Sequence, residues 1–336
     1  LQQVGGFSSF AYVEVTDLCF KLHEAYDQSA IGHIEEVLFT AAQHPVDQLL
    51  LKTNEMAIRQ GHFIRMGLNV AFGQSASNLF HIDYQHGTSP LVSIVIANRN
   101  NATMMARCLD TLVQKLTYTN FEIIVVDQMS DVEDLDYIYQ DANDKSGGKL
   151  KTYKFKNESY SAMLNYGVEQ AKGEYITVLA STSQPIYENW LENMLSQVQC
   201  SDVGVVGARI IDENNNLAHG GGILGATDDV VGMFSGLPDS EPGYMDRAHV
   251  AQEYAAVSSA CFTVNTETFK QVGGLDEQEL ANTRLCVTDF CLKVQAKGYR
   301  NVWTPFARVF QSGEIVAKTN GVADYRDKSV AELEML

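Results

Sequence analysis

The chain has 336 residues, 45% of them hydrophobic, which is enough for one large α/β domain with a smaller unit beside it. Its formal net charge of −18 argues against a surface that follows nucleic-acid phosphates, because that contact depends on Lys and Arg neutralising them. No run approaches the ~18 apolar residues of a membrane span, and Leu1–Phe10 lacks the basic-then-apolar order of a leader.

The six cysteines, Cys19, Cys108, Cys200, Cys261, Cys286 and Cys291, form no CxxC pair and no zinc spacing. They read as reduced thiols of a cytoplasmic protein. A first residue of leucine rather than methionine leaves open that the chain is a segment of something longer.

From about Thr16 to Gln85 the pattern is helical. Ser29 is placed to cap IGHIEEVLFTAAQ, and Pro45 sits at the first position of VDQLLLKTNEMAIRQ, which the pattern stops at Gly61. His23, His33, His44 and His62 fall in this stretch without an HExxH pairing, and read as surface or core histidines rather than metal ligands. The expected organisation is a helical region over 1–88, a catalytic-type α/β domain over 89–315 and a tail over 316–336.

After Gly87-Thr88-Ser89-Pro90 the texture changes. LVSIVIA (91–97) is a continuous apolar run suited to a central parallel strand, and Asn100 or Asn101 can cap the helix ATMMARCLDTLVQKL. FEIIVVD (121–127), KLKTYKF (149–155) and EYITVLA (174–180) are further strands, with the helix SYSAMLNYGVEQA before the last. This rhythm predicts a doubly wound sheet. Ligands then sit at the carboxyl ends of its strands, so Ala97–Asn101, Asp127–Asp131, Asn157–Tyr160 and Ala180–Ser183 are expected to converge.

The second half is less regular. VGVVGARII (203–211) and AAVSSACFTVN (255–265) read as strands, followed by a helix near 266–272, a turn at Gly273-Gly274 and a helix over 289–296. Gly220, Gly222 and Gly225 satisfy GxGxxG by letter, but no helix pattern follows to offer an N-terminus to phosphate, and a flexible loop is the better reading.

The order of these segments resembles the family 2 glycosyltransferases. SIVIANRNNATMMARCLDTL is similar to the family's opening strand and helix, and EIIVVDQMSD to its strand ending in VVDDGS. NESYSAMLNYGVEQAKGEYITVLAS resembles the segment leading into its DxD motif. SSACFTVNTETFKQVGGLDE and TDFCLKVQAKGYRNVWTPFARVF resemble the acceptor-side segment. The likeness covers roughly 91–314. It implies a GT-A fold, a mixed doubly wound sheet flanked by helices, and inverting transfer of a sugar from a nucleotide-sugar donor to a glycan acceptor.

Carried onto this sequence, the resemblance makes Ala97, Arg99, Asp127, Asn157, Ala180, Ser181 and Thr182 the nucleotide-sugar-binding residues, with Asp127 reading the base and Gln128 replacing its usual acidic neighbour. For Asp127 a simple strand-end or cap carboxylate is the competing reading.

Three departures fall on the chemistry. Ala180 and Thr182 stand where the DxD acids would hold Mg²⁺ or Mn²⁺, a hard cation that needs anionic oxygen ligands. Val287 fills the first slot of the acceptor-side acid pair, leaving Asp289 as the catalytic candidate. Gln311 stands where relatives often carry a metal-binding His. The expectation is therefore no metal cofactor. The partner is a nucleotide sugar or nucleotide diphosphate, with a glycan acceptor or an active partner transferase beside it. Two functions compete: a divergent transferase, metal-independent, with Arg99 or Arg209 neutralising the diphosphate, and an inactive transferase-like binding or scaffolding domain.

Overall fold

The computed structural model describes residues 1–312 apart from 27–30, 33, 35, 37, 39, 41–44, 75–79, 157–158, 226–229 and 282–284. It divides into two compact units, Leu1–Ala71 and Phe72–Leu336. The anticipated tail at 316–336 and most of the helix anticipated behind Ser29 lie outside the described residues.

The first unit carries α1 (Glu14–Tyr26) and α2 (Gln48–Arg65). The cap of α2 is Asp47, not a proline start at Pro45: its Oδ1 accepts from the amides of Leu49 and Leu50 at 3.0 Å each. The helix also runs through Gly61 to Arg65, because Arg65 and His62 are tied from α2 to Glu24 on α1. Arg65 donates to both Glu24 oxygens at 2.6 and 2.7 Å, and His62 Nδ1 lies 2.8 Å from Oε1. The ring of Phe20 stacks on His62 at 4.6 Å. The helical reading fails near the unit boundary, where β1 (Val70–Gln74) and β2 (Phe80–Tyr84) form a separate two-stranded sheet.

The main domain follows in chain order: β3 (Val92–Asn98), α3 (Ala102–Lys115), β4 (Phe121–Asp127), α4 (Asp134–Lys145), β5 (Leu150–Lys154), α5 (Tyr160–Gln170) and β6 (Tyr175–Leu179). After β7 (Ser183–Pro185) and α6 (Trp190–Val198) come β8 (Val203–Ile211), β9 (Leu217–His219), β10 (Gly222–Ile223) and β11 (Val231–Gly232). Then follow β12 (Gln252–Glu253), β13 (Cys261–Asn265), α7 (Thr266–Gln271), α8 (Leu285–Ala296) and β14 (Arg300–Gln311). The central sheet runs β12-β14-β8-β13-β6-β3-β4-β5, with β7 paired to β14 and β9 to β8. Strands β6, β3, β4 and β5 are parallel, and β13 is inserted antiparallel between β6 and β8. This is the mixed α/β architecture that the resemblance implies.

Every residue of β3 is buried, as its unbroken apolar run requires of a strand covered on both faces. Val92, Ile94 and Ile96 pack with α3, α4 and α6, whereas Val95 and Ala97 pack with α5, α7 and α8. Gly167 lets α5 lie directly on the sheet: a Cβ there would collide with Val95 and sit 3.1 Å from Val126. The GxGxxG stretch is not a loop throughout. It forms β10, paired with β11, and Gly221 (φ 99°) leaves room for the Tyr254 ring.

At the edge of the sheet away from the candidate site, Glu122 is buried with three donors. Its Oε1 accepts from the Ser93 hydroxyl and the Lys172 amide, both at 2.7 Å, and Lys151 lies 3.3 Å from Oε2. Burial by itself would raise this carboxyl, but the Lys172 amide, the Ser93 hydroxyl and Lys151 together hold it below the ordinary range. A depressed native pKa stabilises the fold above the unfolded value of about 4.3, and that contribution is lost as pH falls through the native value. Glu122→Ala strands two buried donors and is expected to cost about 1–3 kcal/mol in urea unfolding at pH 7. The difference from the unaltered protein should narrow as the pH is lowered below about 4.

Candidate functional site at the carboxyl edge of the parallel strands

Asn98, Asp127 and Lys154 end three adjacent parallel strands and lie in register across β3, β4 and β5. Because β3 lies between β4 and β6, Asp127 and Ala180 occupy the same carboxyl edge, two strands apart. The helix following β3 is fixed by the Asn101 side chain, which accepts from the Met104 amide at 3.2 Å. The neighbouring loops are laced together: the Asn100 amide donates to Ser130 Oγ at 2.9 Å, and the Asp131 amide to Asn100 Oδ1 at 3.3 Å.

The Asp127 carboxylate has no exposed surface. Its Oδ1 accepts from the Ser130 amide at 2.7 Å and lies 3.4 Å from Lys154 Nζ. Its Oδ2 accepts from Tyr139 Oη at 2.6 Å and lies 3.4 Å from Asn98 Nδ2. Burial, with the Asp127 charge beside it, pushes the Tyr139 phenol well above its usual range. The geometry is that of a strand-end carboxylate capping its own turn, the competing reading of this residue. Tyr139 had no signal in the sequence, since one aromatic on an amphipathic helix looks like any core residue. Ala97 is buried, Arg99 is half-buried at the end of β3, and Asn157 lies outside the described residues.

The turn after β6 carries Ala180, Ser181 and Thr182. Its backbone closes by Ser183 N–H to Ala180 O at 2.9 Å, and the Ala180 amide donates to Ala260 O on the β13 side at 2.9 Å. The β14 register pairs Gln311 with Ser183, and Gln311 Nε2 donates to Thr182 Oγ1 at 3.4 Å. Two positions 129 residues apart, both singled out from the sequence as altered cation positions, therefore meet through their side chains.

These residues do not fit the Mg²⁺ or Mn²⁺ that the resemblance implies. Ala180 has no side-chain oxygen, the Thr182 hydroxyl is nearly buried, and the amide of Gln311 turns a donor toward it. Among the described residues no cluster of three or more His, Cys, Asp or Glu is placed to hold a metal ion.

On α8, Val287 faces the core with Cys286, Phe290 and Cys291. Asp289 is half-buried, with its Oδ2 2.6 Å from Lys293 one turn on. The helix starts at Leu285 rather than 289, so Asp289 lies in its second turn and not at its dipole end.

Arg209 cannot reach a diphosphate, contrary to expectation. It is 2% exposed and donates from Nε to Asp239 Oδ1 at 2.7 Å, from Nη2 to the Asp239 carbonyl at 2.7 Å, and from Nη1 to the Ala248 carbonyl. Burial and the neighbouring Arg308 charge pull its pKa down to about 10. Arg308 pairs with the other Asp239 oxygen and donates to Tyr187 Oη at 2.8 Å.

Asp239→Ala leaves two guanidinium groups without their shared anion. The expected cost is about 3–5 kcal/mol in denaturant unfolding, larger than for any exposed acid of the chain. The triple exchange Ala180→Asp, Thr182→Asp and Gln311→His restores oxygen and imidazole ligands. Calorimetry without nucleotide should then register Mn²⁺ binding that the unaltered protein does not give.

Residues 93–227 match the family model described as glycosyl transferase family 2. The chain is 30% identical over 329 residues to the uncharacterized protein y4gI of Sinorhizobium fredii, covering 92% of this chain and 35% of that protein. It is 26% identical over 341 residues to the O-antigen biosynthesis protein RfbC of Myxococcus xanthus, covering 97% of this chain and 26% of that one. The chain thus spans about a third or less of the length of these curated relatives. Among solved structures, GalNAc-T7 with UDP, GalNAc and Mn²⁺ superposes with a TM-score of 0.57 at 16% identity, over 70% of this chain and 46% of that one. The mannosyltransferase PcManGT from Pyrobaculum calidifontis with GDP-Man and Mn²⁺ gives 0.50 at 12% identity, over 78% and 67%. Taken with the strand order and the carboxyl-edge geometry, these matches show a GT-A fold whose residues 93–227 carry a segment similar to the family 2 glycosyltransferases.

Proposed function

We propose that this domain binds a nucleotide-diphosphate sugar at the carboxyl edge of β3, β4 and β6 and transfers its sugar, with inversion, to a growing glycan. The solved neighbours support the donor class, since their complexes contain GDP-Man and UDP. RfbC, named for O-antigen biosynthesis, supports the glycan acceptor class. In this reading the diphosphate charge is met by Arg99 and not by a cation held on Ala180, Thr182 or Gln311.

The observation that carries the assignment is the contrast between two arginines. Arg209 is saturated by Asp239 and backbone carbonyls. Arg99, at the carboxyl end of β3, makes no hydrogen bond or ion pair with the described residues, so its donors are available to phosphate oxygens. Asp289 is the carboxylate left to accept the proton of the acceptor hydroxyl.

A second reading rests on Val287. The acid slot before Asp289 holds a side chain packed into the core, which favours a domain that binds nucleotide sugar without turning it over and works beside an active partner transferase.

No helix among the described residues is long and apolar enough to cross a membrane. A cytoplasmic position beside the donor pool fits either reading.

The test is a panel of nucleoside diphosphates and their sugars with Mn²⁺ or with EDTA. At least one nucleoside diphosphate should bind with the same affinity in EDTA, and Arg99→Ala should weaken it about tenfold to a hundredfold. Release of free nucleotide in the presence of a glycan acceptor supports transfer, and its loss in Asp289→Asn supports that residue as the base. Binding without release under any condition supports the second reading. Silence of the whole panel overturns both.

A further inference from the structure

The stretch between β11 and β12 stands on one buried arginine. Arg209 holds the side chain and carbonyl of Asp239 and, further along the chain, the carbonyl of Ala248, so both feet of the intervening loop meet at a single guanidinium. The Ala248 amide donates to the Pro242 carbonyl at 2.9 Å. Gly243, at φ 70°, packs so closely that a Cβ there would lie 3.0 Å from Phe234 and 3.2 Å from Ala248. The base of the loop is closed.

Its apex is open. Tyr244 and Met245, adjacent in the chain, are 77% and 74% exposed. Met245 and Asp246 hold left-handed backbone at φ 53° and 58°, a conformation that such side chains rarely adopt. Two in succession persist only where the surroundings over-determine them, and outliers of this kind gather where a ligand is held.

The loop also stands on a defined side of the sheet. Arg209 alternates along β8 with Val205 and Gly207, which pack with α8 and Val257, so its side chain lies on the face that α8 covers. That helix carries Asp289. Arg308 is in register with Arg209, which puts the feet of the loop about 10 Å along β14 from Gln311, the residue that meets Thr182.

The surroundings of the Tyr244–Met245 knuckle choose among occupants. Two side chains fall far short of the roughly 800 Å² that each partner buries in a stable protein interface. Glu241 and Asp246 flank the pair in a chain of net charge −18, which disfavours an anionic lipid surface. A sugar ring fits better, because its C–H face is apolar while its hydroxyls need groups that donate and accept. Tyrosine offers such a ring a large flat area at low entropic cost. Arg247 Nε donates to Gln252 Oε1 at 3.0 Å, and its remaining donors and the Asp246 carboxylate make no hydrogen bond with the described residues.

We propose that Tyr244 and Met245 form a carbohydrate platform that grips the acceptor glycan behind its reacting end, with Asp246 and Arg247 addressing the hydroxyls. The proposal rests on the transfer reading above and deepens it. An acceptor that lies on the platform and reaches the turn at Thr182 spans more than one ring, so the domain selects an oligosaccharide over a single sugar.

The test is saturation-transfer NMR and affinity titration with single sugars and with graded fragments of bacterial O-antigen polysaccharides. The unaltered protein is compared with Tyr244→Ala, Tyr244→Phe and Met245→Gly, each also titrated with UDP, GDP, CDP and ADP and melted for its thermal midpoint. Longer fragments should bind the unaltered protein more tightly than single sugars. Tyr244→Ala should weaken them about threefold to tenfold and remove the preference for length, with nucleotide affinity and midpoint unchanged. Tyr244→Phe keeps the ring and should keep the binding. Met245→Gly relieves the left-handed backbone, so its midpoint should stay level or rise while fragment affinity falls.

If Tyr244→Ala and Met245→Gly both bind the fragments as the unaltered protein does, or if no fragment binds a protein that binds a nucleoside diphosphate, the platform is overturned and the donor reading stands. If Tyr244→Ala lowers the molar mass in light scattering and leaves fragment binding intact, the knuckle joins two copies of the chain and the proposal fails likewise. Fragments bound through Tyr244 by a protein that binds no nucleoside diphosphate support the platform and overturn the nucleotide-sugar reading. Silence toward both ligands overturns the two together.

Discussion

A carboxylate with no exposed surface at the end of a central strand is tolerable only when donors surround it, and the rim of this domain is arranged around that requirement at Asp127. Tyr139 comes from α4, Asn98 from β3, Lys154 from β5, and the Ser130 amide from the turn itself. One buried charge thereby fixes the mutual placement of three strand ends and a helix. The loop pairing of Asn100 with Ser130 and Asp131 extends the same order one residue beyond the strands. The edge is thus ordered by contacts from within the fold.

The strands and helices of the first half of the main domain were legible because each carries a single local signal. FEIIVVD is β4 residue for residue, as VGVVGARII is β8 in the less regular half, and of the two candidate caps Asn100 and Asn101 it is Asn101 whose side chain accepts a backbone N–H. Regions that depend on distant partners were not legible in this way. AAVSSACFTVN shrinks to Cys261–Asn265, because a strand ends where its neighbours β6 and β8 stop pairing, not where its apolar residues stop. The twelve-residue β14 carried no strand reading of its own, since its length is set by β8, β12 and β7, which it finds along its course. Helical spacing likewise concealed β1 and β2, which are too short for alternation to outweigh it.

The candidate site divides along the same line. That Thr182 and Gln311 belong to one place was inferable from the resemblance, and the pairing of β7 with β14 supplies the physical link. What the letters could not convey was where each side chain goes. Asp127 turns inward, Arg209 is spent on Asp239, and Val287 points into the core, while the side chain of Gln128, which replaces the usual acidic neighbour, makes no hydrogen bond with the described residues. An alignment position describes a place in the fold, whereas availability to a ligand depends on competition among neighbours for the same donors and acceptors.

The double hold of Arg209 and Arg308 on Asp239 has a consequence for the second half of the domain. The chain between β11 and β12 has little regular structure, yet its one anchoring acid is gripped from β8 and β14, the two longest strands of the sheet. A segment fastened by opposite charges in a nearly dry setting has no shallow range of partial displacement, since the first ångström of separation exposes three ions to a medium that solvates them poorly. It is a wall rather than a lid. Movement of this stretch therefore has to be all-or-none, with the whole ion triplet broken before the backbone can shift.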